Sequence, residues 1–451
     1  MDIDTSDIDT SDTDTSDMNT SDMNTDAADT RPPTDQPLAA RIGFFVGKGG
    51  VGKSTLASAT AVAAALAGER VLVVSTDQAH SLGEVLGVAV APSGSAEPVR
   101  ILTEEQGEDS GGGYLDALAL DTLALLEWAW RAIAPVLAAR FPSSDLKDIA
   151  PEELSSFPGI QEMLGLRRVA ELAESGRWDF VVVDCASTAD ALRMLTLPAA
   201  FALYAERGWP RHRRLSSGAE DPRAAATVAL IEVLHAGVES LSQLLTREGV
   251  GAHLVLTPER VVAAEAARTL AALAVMGIRV NELIVNQVLF QDDSYEYRNL
   301  PDHPAFEWHV ARIAEQESVL DEITATTGDV QLLLTPHLAG EPIGPKALGQ
   351  LLDEARRREG SAPPGPLRPV VDREFGSGLD AVYRMRLELP SLDVATLSLG
   401  RAGDDLIITV GALRRRVRLA SVLRRCIVEG AALRGRELTV RFRPDPEVWP
   451  A

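Results

Sequence analysis

The sequence predicts two architectures in one chain: an α/β part with a mostly parallel sheet and a helical insertion, followed by a small all-β sandwich. Three observations predict it. Short apolar, β-branched runs alternate with helical patterns from Arg41 to about Arg358, and alternation of that kind builds parallel βαβ units. Within that part, Leu126, Trp130, Ile133 and Leu137 recur at helical spacing between Leu118 and Phe141, an insertion without strands. Beyond a stiff Pro- and Gly-rich stretch, Gly360 to Pro366, the apolar period becomes two, the period of half-buried strands.

The totals set bounds on function. A chain of 451 residues, 45% of them hydrophobic, can bury a large core in two to three domains. Only Cys185 and Cys426 are present, so the chain supplies neither a disulfide framework nor a CxxC zinc site, and a reducing cytoplasm is expected. The N-terminus is acidic, without the basic and apolar regions of a signal peptide, and no apolar run reaches the length of a membrane span. A net charge of −23 argues against a nucleic-acid partner, which is held by a basic footprint. Much of that charge is local, because residues 1–40 hold eleven Asp and one Arg.

Taken in order, the chain opens on a pentad, Asp2-Ile3-Asp4-Thr5-Ser6, that degenerates by Asp17-Met18-Asn19-Thr20-Ser21. Low hydrophobicity and like-charge repulsion predict a disordered acidic tail over residues 1–38. Ile42 to Val46 reads as a strand and Leu56 to Ala67 as a helix, and between them lies Gly47-Lys48-Gly49-Gly50-Val51-Gly52-Lys53-Ser54-Thr55. Strand, glycine-rich loop and helix in that order are the context a phosphate loop requires. Arg70 to Ser75 is the next strand, and residues 91–113 read as a surface loop. Helical patterns cover Leu118 to Phe141, Pro158 to Glu174, Ala191 to Tyr204 and Ala224 to Thr246, with a polar basic segment from Arg207 to Pro222. The insertion therefore takes in about 118–174 and 199–248. Trp178 to Asp184 is continuously apolar before its terminal carboxylate, the mark of a buried central strand. Ala252 to Thr257 and Asn281 to Asn286 are further strands, flanking a helix expected to hold Pro258 at its first position. Val330 to Leu334 and a helix from Pro345 to Arg358 complete the α/β part. After the linker, strands are expected at Tyr383 to Leu389, Val394 to Leu399, Asp405 to Val410, Ala412 to Leu419, Cys426 to Leu433 and Glu437 to Phe442.

The loop's residue types dictate its chemistry. Backbone N–H groups of Gly47, Gly49, Gly50, Val51 and Gly52, with the N-terminus of the following helix, converge on phosphates. Lys53 reaches the β and γ phosphates of ATP, the Ser54 hydroxyl completes the coordination of Mg²⁺, and Thr55 adds a hydroxyl for the α-phosphate. Asp184, ending a buried strand, supplies the carboxylate that such sites use toward magnesium. Asp77 follows another strand at the same edge, where open α/β sheets bind ligands. It either orients the attacking water or caps the helix Ser81 to Leu86, and the sequence leaves both open. Lys48 sits where an ammonium could reach a transition state across a subunit boundary.

Lys48-Gly49-Gly50-Val51-Gly52-Lys53-Ser54, Ser75-Thr76-Asp77-Gln78-Ala79-His80-Ser81-Leu82, Phe157-Pro158-Gly159-Ile160 and Asp184-Cys185-Ala186-Ser187-Thr188 through Leu195 resemble the arsenical pump-driving ATPase (ArsA) family. That family includes the ATPases that target tail-anchored membrane proteins. The resemblance spans about residues 41–355 and implies a phosphate-loop NTPase fold working as a nucleotide-sandwich dimer. It implies Lys48 acting in trans, Lys53 and Ser54 in cis, Asp77 positioning water, and Asn286 contacting adenine. The C-terminal strands, with Gly411 to Val417 and Leu438 to Phe442 nearest in pattern, resemble the small heat-shock (alpha-crystallin-like) domain appended to some bacterial members. The expected order is then tail 1–38, ATPase 39–358, linker 359–368 and sandwich 369–445.

The implied function is Mg-dependent ATP hydrolysis by a homodimer, or a heterodimer with a paralogue, acting on a protein client, membrane proteins included. Departures open alternatives. In the first switch Gln78 replaces the family's Pro, and in the second Cys185, Ser187, Ala189 and Asp190 stand at variant positions. A weakly active or regulatory subunit is one alternative. Another is an arsenical or anion pump-driving subunit, although the family's arsenite cysteines have no counterpart. A third is a partition or positioning ATPase that binds DNA or membrane.

Overall fold

The computed structural model describes residues 39–77, 81–90, 92–93, 97–103, 112–140, 159–208, 237–291, 303–327, 330–358, 369–389, 397–410, 413–434 and 437–449. The expected tail, the linker, Gln78 to His80, Phe157-Pro158 and most of the basic segment after Arg207 lie outside them. Two compact units are distinguished, Ala39–Pro366 and Leu367–Ala451.

The first unit runs β1 (Arg41–Gly47), α1 (Lys53–Leu66), β2 (Arg70–Ser75), α2 (Ser81–Leu86), β3 (Pro92–Ser93), β4 (Val99–Thr103), β5 (Tyr114–Leu120) and α3 (Thr122–Arg140). It continues with α4 (Ile160–Glu174), β6 (Phe180–Asp184), α5 (Thr188–Gly208), β7 (Val250–Leu256), α6 (Arg260–Met276) and β8 (Val280–Val288). Then come α7 (Pro304–Thr327), β9 (Gln331–Pro336), α8 (Gly344–Asp353) and β10 (Arg356–Arg357). One ten-stranded sheet has the order β10-β9-β8-β7-β1-β6-β2-β5-β3, with β4 on β5. Among the described residues of this sheet, only β4 and β10 pair antiparallel with their neighbours. β6 and β7 are buried at every residue and β1 at all but its first. A parallel sheet covered on both faces has no solvent side, so its central strands are apolar throughout.

Several boundaries differ from expectation. The stretch read as a surface loop, 91–113, contributes β3 and β4. Tyr114–Leu120, partly assigned to the helical insertion, is β5, parallel to β2. Its Leu and Ala residues are good helix formers, and its place between β2 and the sheet edge overrides that preference. Helix α3 begins only at Thr122. Pro258 is not the first residue of α6, because the Glu259 N–H bonds Thr257 O at 2.8 Å and closes a turn that keeps proline outside the helix. The last helix stops at Asp353, and Arg356–Arg357 instead pair with β9. The whole of α7 escaped the reading of the sequence, since a glutamine, Gln316, occupies one of its core positions and Trp308 and Val310 are exposed.

In α3, Leu126 is buried and Trp130 half-buried, while the exposed tryptophan is Trp128, at 64%. Among the described residues no helix is long and apolar enough to cross a membrane.

The second unit is an antiparallel sandwich. β11 (Val370–Phe375), β12 (Val382–Glu388), β17 (Glu437–Pro444) and β16 (Cys426–Arg434) form one sheet in the order β11-β12-β17-β16. β13 (Leu397–Ala402), β14 (Asp405–Val410) and β15 (Leu413–Arg418) form the other. Inward Met385, Leu387, Leu399, Ile408, Leu438 and Phe442 share one core. Arg414, Arg416 and Arg418 alternate outward along β15, as period two requires. The strand expected at Val394 to Leu399 is described over Leu397–Ala402, residues 394–396 lying outside the described ones, and β11 was not foreseen because Asp372, Arg373 and Glu374 hide its alternation.

Candidate nucleotide-binding site

The parallel register places the ends of β1, β2 and β6 together. Asp184 lies opposite Phe45 on one side and Ser75 on the other, so the loop leaving β1, the carboxylate ending β6 and the turn leaving β2 share one crevice. Two glycines of the loop are required by contact. A Cβ on Gly47 would lie 2.2 Å from Val255 O, and one on Gly52, at φ 90°, would lie 2.3 Å from Asn286 Nδ2. Gly50 also has positive φ, 82°, while Gly49 and Lys48 are exposed and Val51 is buried.

Lys53 is buried at the start of α1, and its Nζ donates to Lys48 O at 3.1 Å across the loop. Ser54 Oγ lies 3.0 Å from Ser81 Oγ, which ties the loop to α2. Thr55 follows, half-buried in the same turn. Lys48 points elsewhere: its Nζ is 3.8 Å from Glu265 Oε2 on α6, with 45% of the side chain exposed.

Asp184 is fully buried. Ser75 Oγ donates to its Oδ2 at 3.3 Å, but Oδ1 is buried without any hydrogen-bond partner. Burial pushes the carboxyl up to about 6, opposed by the Ser54 hydroxyl and the Lys53 ammonium and reinforced by Asp77. Asp77 is half-buried, and its N–H bonds Ser75 Oγ at 3.2 Å. It stands four residues before α2, too far forward to be that helix's cap. Burial also pushes the neighbouring Cys185 thiol up, out of reach of nucleophile chemistry at neutral pH.

A buried carboxylate oxygen with no donor, beside a hydroxyl, suits a hydrated hard cation, which takes oxygen ligands. Magnesium keeps most of its water, so no larger cage is needed. Among the described residues no group of three or more His, Cys, Asp or Glu could hold a metal ion.

Asn286 Nδ2 donates to Val51 O at 2.9 Å, and its Oδ1 accepts from Thr335 Oγ1 at 2.8 Å. The amide therefore braces the loop against β8 and β9. Beyond these two bonds the amide keeps a second Nδ2 hydrogen and a second Oδ1 lone pair. Ser75, Ser81, Thr335 and Glu265 were not singled out as site residues, although the first two stand inside the quoted first-switch stretch.

The profile of the anion-transporting ATPase family matches residues 40–355, which include every one of these site residues. The chain belongs to that family. A second profile, the HSP20-like domain found in ArsA, matches residues 380–442. A Mycobacterium tuberculosis protein is 69% identical over 415 residues, covering 92% of this chain and 98% of that protein. An uncharacterized Streptomyces coelicolor protein is 33% identical over 418 residues, covering 90% and 98%. An Aquifex aeolicus protein, provisionally named an arsenical pump-driving ATPase, is 24% identical over 414 residues, covering 89% and 99%. The chain is an ATP-hydrolysing enzyme of the anion-transporting ATPase family with an HSP20-like C-terminal domain.

Its altered second switch has a local explanation. Ser187 Oγ donates to Asp190 Oδ2 at 2.7 Å and lies 3.4 Å from the Asp190 N–H, forming a capping pair at the start of α5. A carboxylate is favoured there by the helix dipole. Arg193 joins Asp190, at 3.6 Å, to Glu162 of α4, at 3.3 Å.

Proposed function

We propose that the chain hydrolyses ATP with magnesium as a nucleotide-sandwich dimer, and that nucleotide state drives a conformational change for a protein client, membrane proteins included. The observation that carries the reading is Asp184: a buried carboxylate oxygen left without a hydrogen-bond partner, on the strand beside the one that leads into the phosphate loop. Buried polar groups are as a rule hydrogen-bonded, and a catalytic role or a bound ion is one reason for an exception.

In this reading the backbone of Gly47, Gly49, Gly50, Val51 and Gly52 cradles the phosphates. Lys53 exchanges its bond to Lys48 O for the β and γ oxygens, and Thr55 faces the α-phosphate. Ser54 and, through water, Asp184 hold Mg²⁺, which when bound neutralises charge developing on the phosphoryl oxygens. Asp77 orients the attacking water. Asn286 turns its remaining N–H to the base. Lys48 serves the neighbouring chain's nucleotide, a role supported by its facing α6 and solvent rather than its own Lys53. The client is bound by a surface of the helical region around α3.

A soft metalloid cargo is disfavoured, because the only two cysteines are both buried and arsenite needs clustered thiolates. The name of the Aquifex relative therefore does not settle the cargo here.

Mixing variants tests the shared site. Lys48→Ala and Lys53→Ala chains are each expected to be inactive alone. A mixture regains roughly a quarter of wild-type turnover, since half the dimers are mixed and each mixed dimer holds one intact site. No recovery, with dimers present by mass under ADP and a phosphate mimic, would sink the trans role.

A further inference from the structure

The end of β8 is irregular. Val285 pairs with Leu334 and Val288 with Pro336, so Asn286 and Gln287 together stand opposite the single residue Thr335. That is a bulge, and bulges re-aim side chains beside functional sites. Gln287 has φ 61°, the only positive φ among the described residues that are not glycine. A long side chain adopts this conformation only where its surroundings impose it.

What imposes it is Gln316, in the middle of α7. Its Nε2 donates to Gln287 O at 3.1 Å, and its Oε1 accepts from the Leu289 N–H at 2.8 Å. Gln316 is only 3% exposed, in a helix face otherwise made of Ile313, Val319, Leu320 and Ile323. A polar group at such a place is unfavourable unless bonded, and both ends of this amide are bonded to main-chain groups that the bulge withdraws from the ladder.

We propose that Gln316 is a positioning residue for base recognition: it clamps the Asn286–Gln287 bulge from α7 and so aims the remaining Asn286 N–H at N1 or N7 of the bound purine, the ring acceptors that flank its exocyclic amine. The inference rests on the reading that the base lies at Asn286. It goes further by making an α7 residue, on neither the phosphate loop nor a switch, a determinant of base affinity.

The test compares binding of ATP with 7-deaza-ATP and 1-deaza-ATP, each lacking one ring-nitrogen acceptor, in the full-length protein. Wild type binds one of the two analogues more weakly than ATP by about 2- to 10-fold, the range of one hydrogen bond. Asn286→Ala brings that ratio close to one. Gln316→Leu does the same, whereas a merely structural role would lower the folded fraction and leave the ratio of the folded protein intact. Should Gln316→Leu fail to fold, Gln316→Glu carries the test: its carboxylate keeps the acceptor for Leu289 but cannot donate to Gln287 O. A wild-type ratio retained in the folded Gln316 variant, while Asn286→Ala loses it, overturns the role of Gln316 alone. Equal binding of ATP and both analogues by wild type overturns the placement of the base, and this inference with it.

Discussion

Asp184 at the end of β6 and Glu374 in β11 are both strand carboxylates, and their surroundings drive them in opposite directions. Burial raises Asp184 to about 6 and leaves its Oδ1 without a partner. Glu374 is lowered, chiefly by its hydrogen bonds from Arg441 Nε and Nη2 at 2.8 and 3.0 Å. Around it Asp372 is paired with Arg384, and Glu429 with Arg443. In the sandwich these carboxylates are neutralised across strands on an open face; at Asp184 one carboxylate oxygen is buried without a hydrogen bond. An acid that folding leaves unsatisfied marks chemistry, and one that folding satisfies marks architecture.

The largest way to break this contrast is Asp184→Asn. Hydrolysis is expected to fall by about 10²- to 10³-fold, on the scale of removing one electrostatic group from a transition-state site. Stability should move the other way, rising by about 1–3 kcal/mol as a buried, unsatisfied charge becomes neutral. Turnover and thermal unfolding measured on the same preparation check both signs. A variant that is inactive and also less stable would show that Asp184 is structural.

The matching experiment in the sandwich is Phe442→Ala. Phe442 is fully buried among Met385, Leu438 and Val440, and its removal is expected to cost about 3–5 kcal/mol. Hydrogen exchange on the intact chain should report the loss in β12, β16 and β17. Trp178→Phe ranks below it. Trp178 is completely buried, and its Nε1 donates to Asp116 Oδ2 at 3.0 Å, so the variant leaves a buried acceptor short of a donor, a loss of about 1–3 kcal/mol. Thermal unfolding, beside an Asp116→Asn variant, checks it.

The same contrast explains what was legible. Strands β1, β2, β6 and β7 declared themselves as apolar runs because helices cover both faces, and the phosphate loop declared itself by its glycine spacing between a strand and a helix, although the contacts that require Gly47 and Gly52, Val255 O and Asn286 Nδ2, are distant in sequence. β5 did not, since its Tyr114–Leu120 composition favours a helix and only its neighbours make it a strand. Gln316 was illegible for a related reason: a glutamine within a helical pattern looks like solvent face until the bulge it serves is seen. Asn286 was reached through resemblance, yet its two bonds to Val51 and Thr335 depend on strands distant in sequence. Asp190, read as a departure from the family's second switch, also pairs with Ser187, three residues earlier, at the start of α5.

The smallest expected effect sharpens the contrast most directly, because it concerns the sign of a pH dependence. The Arg441 guanidinium is half-exposed, at 51%, so its pair with Glu374 is screened and Glu374→Gln should cost no more than about 1 kcal/mol at neutral pH. The folded pKa of Glu374 lies below the unfolded value of about 4.3. Its contribution is therefore fully present above that value and is lost as pH falls through the folded pKa. Wild type and Glu374→Gln should differ in local exchange along β11 and β12 at pH 7, and the gap should narrow toward pH 3. A gap that widens on acidification would mean that Glu374 is stabilised in its protonated form, and the sandwich would then share the electrostatics of the site it was contrasted with.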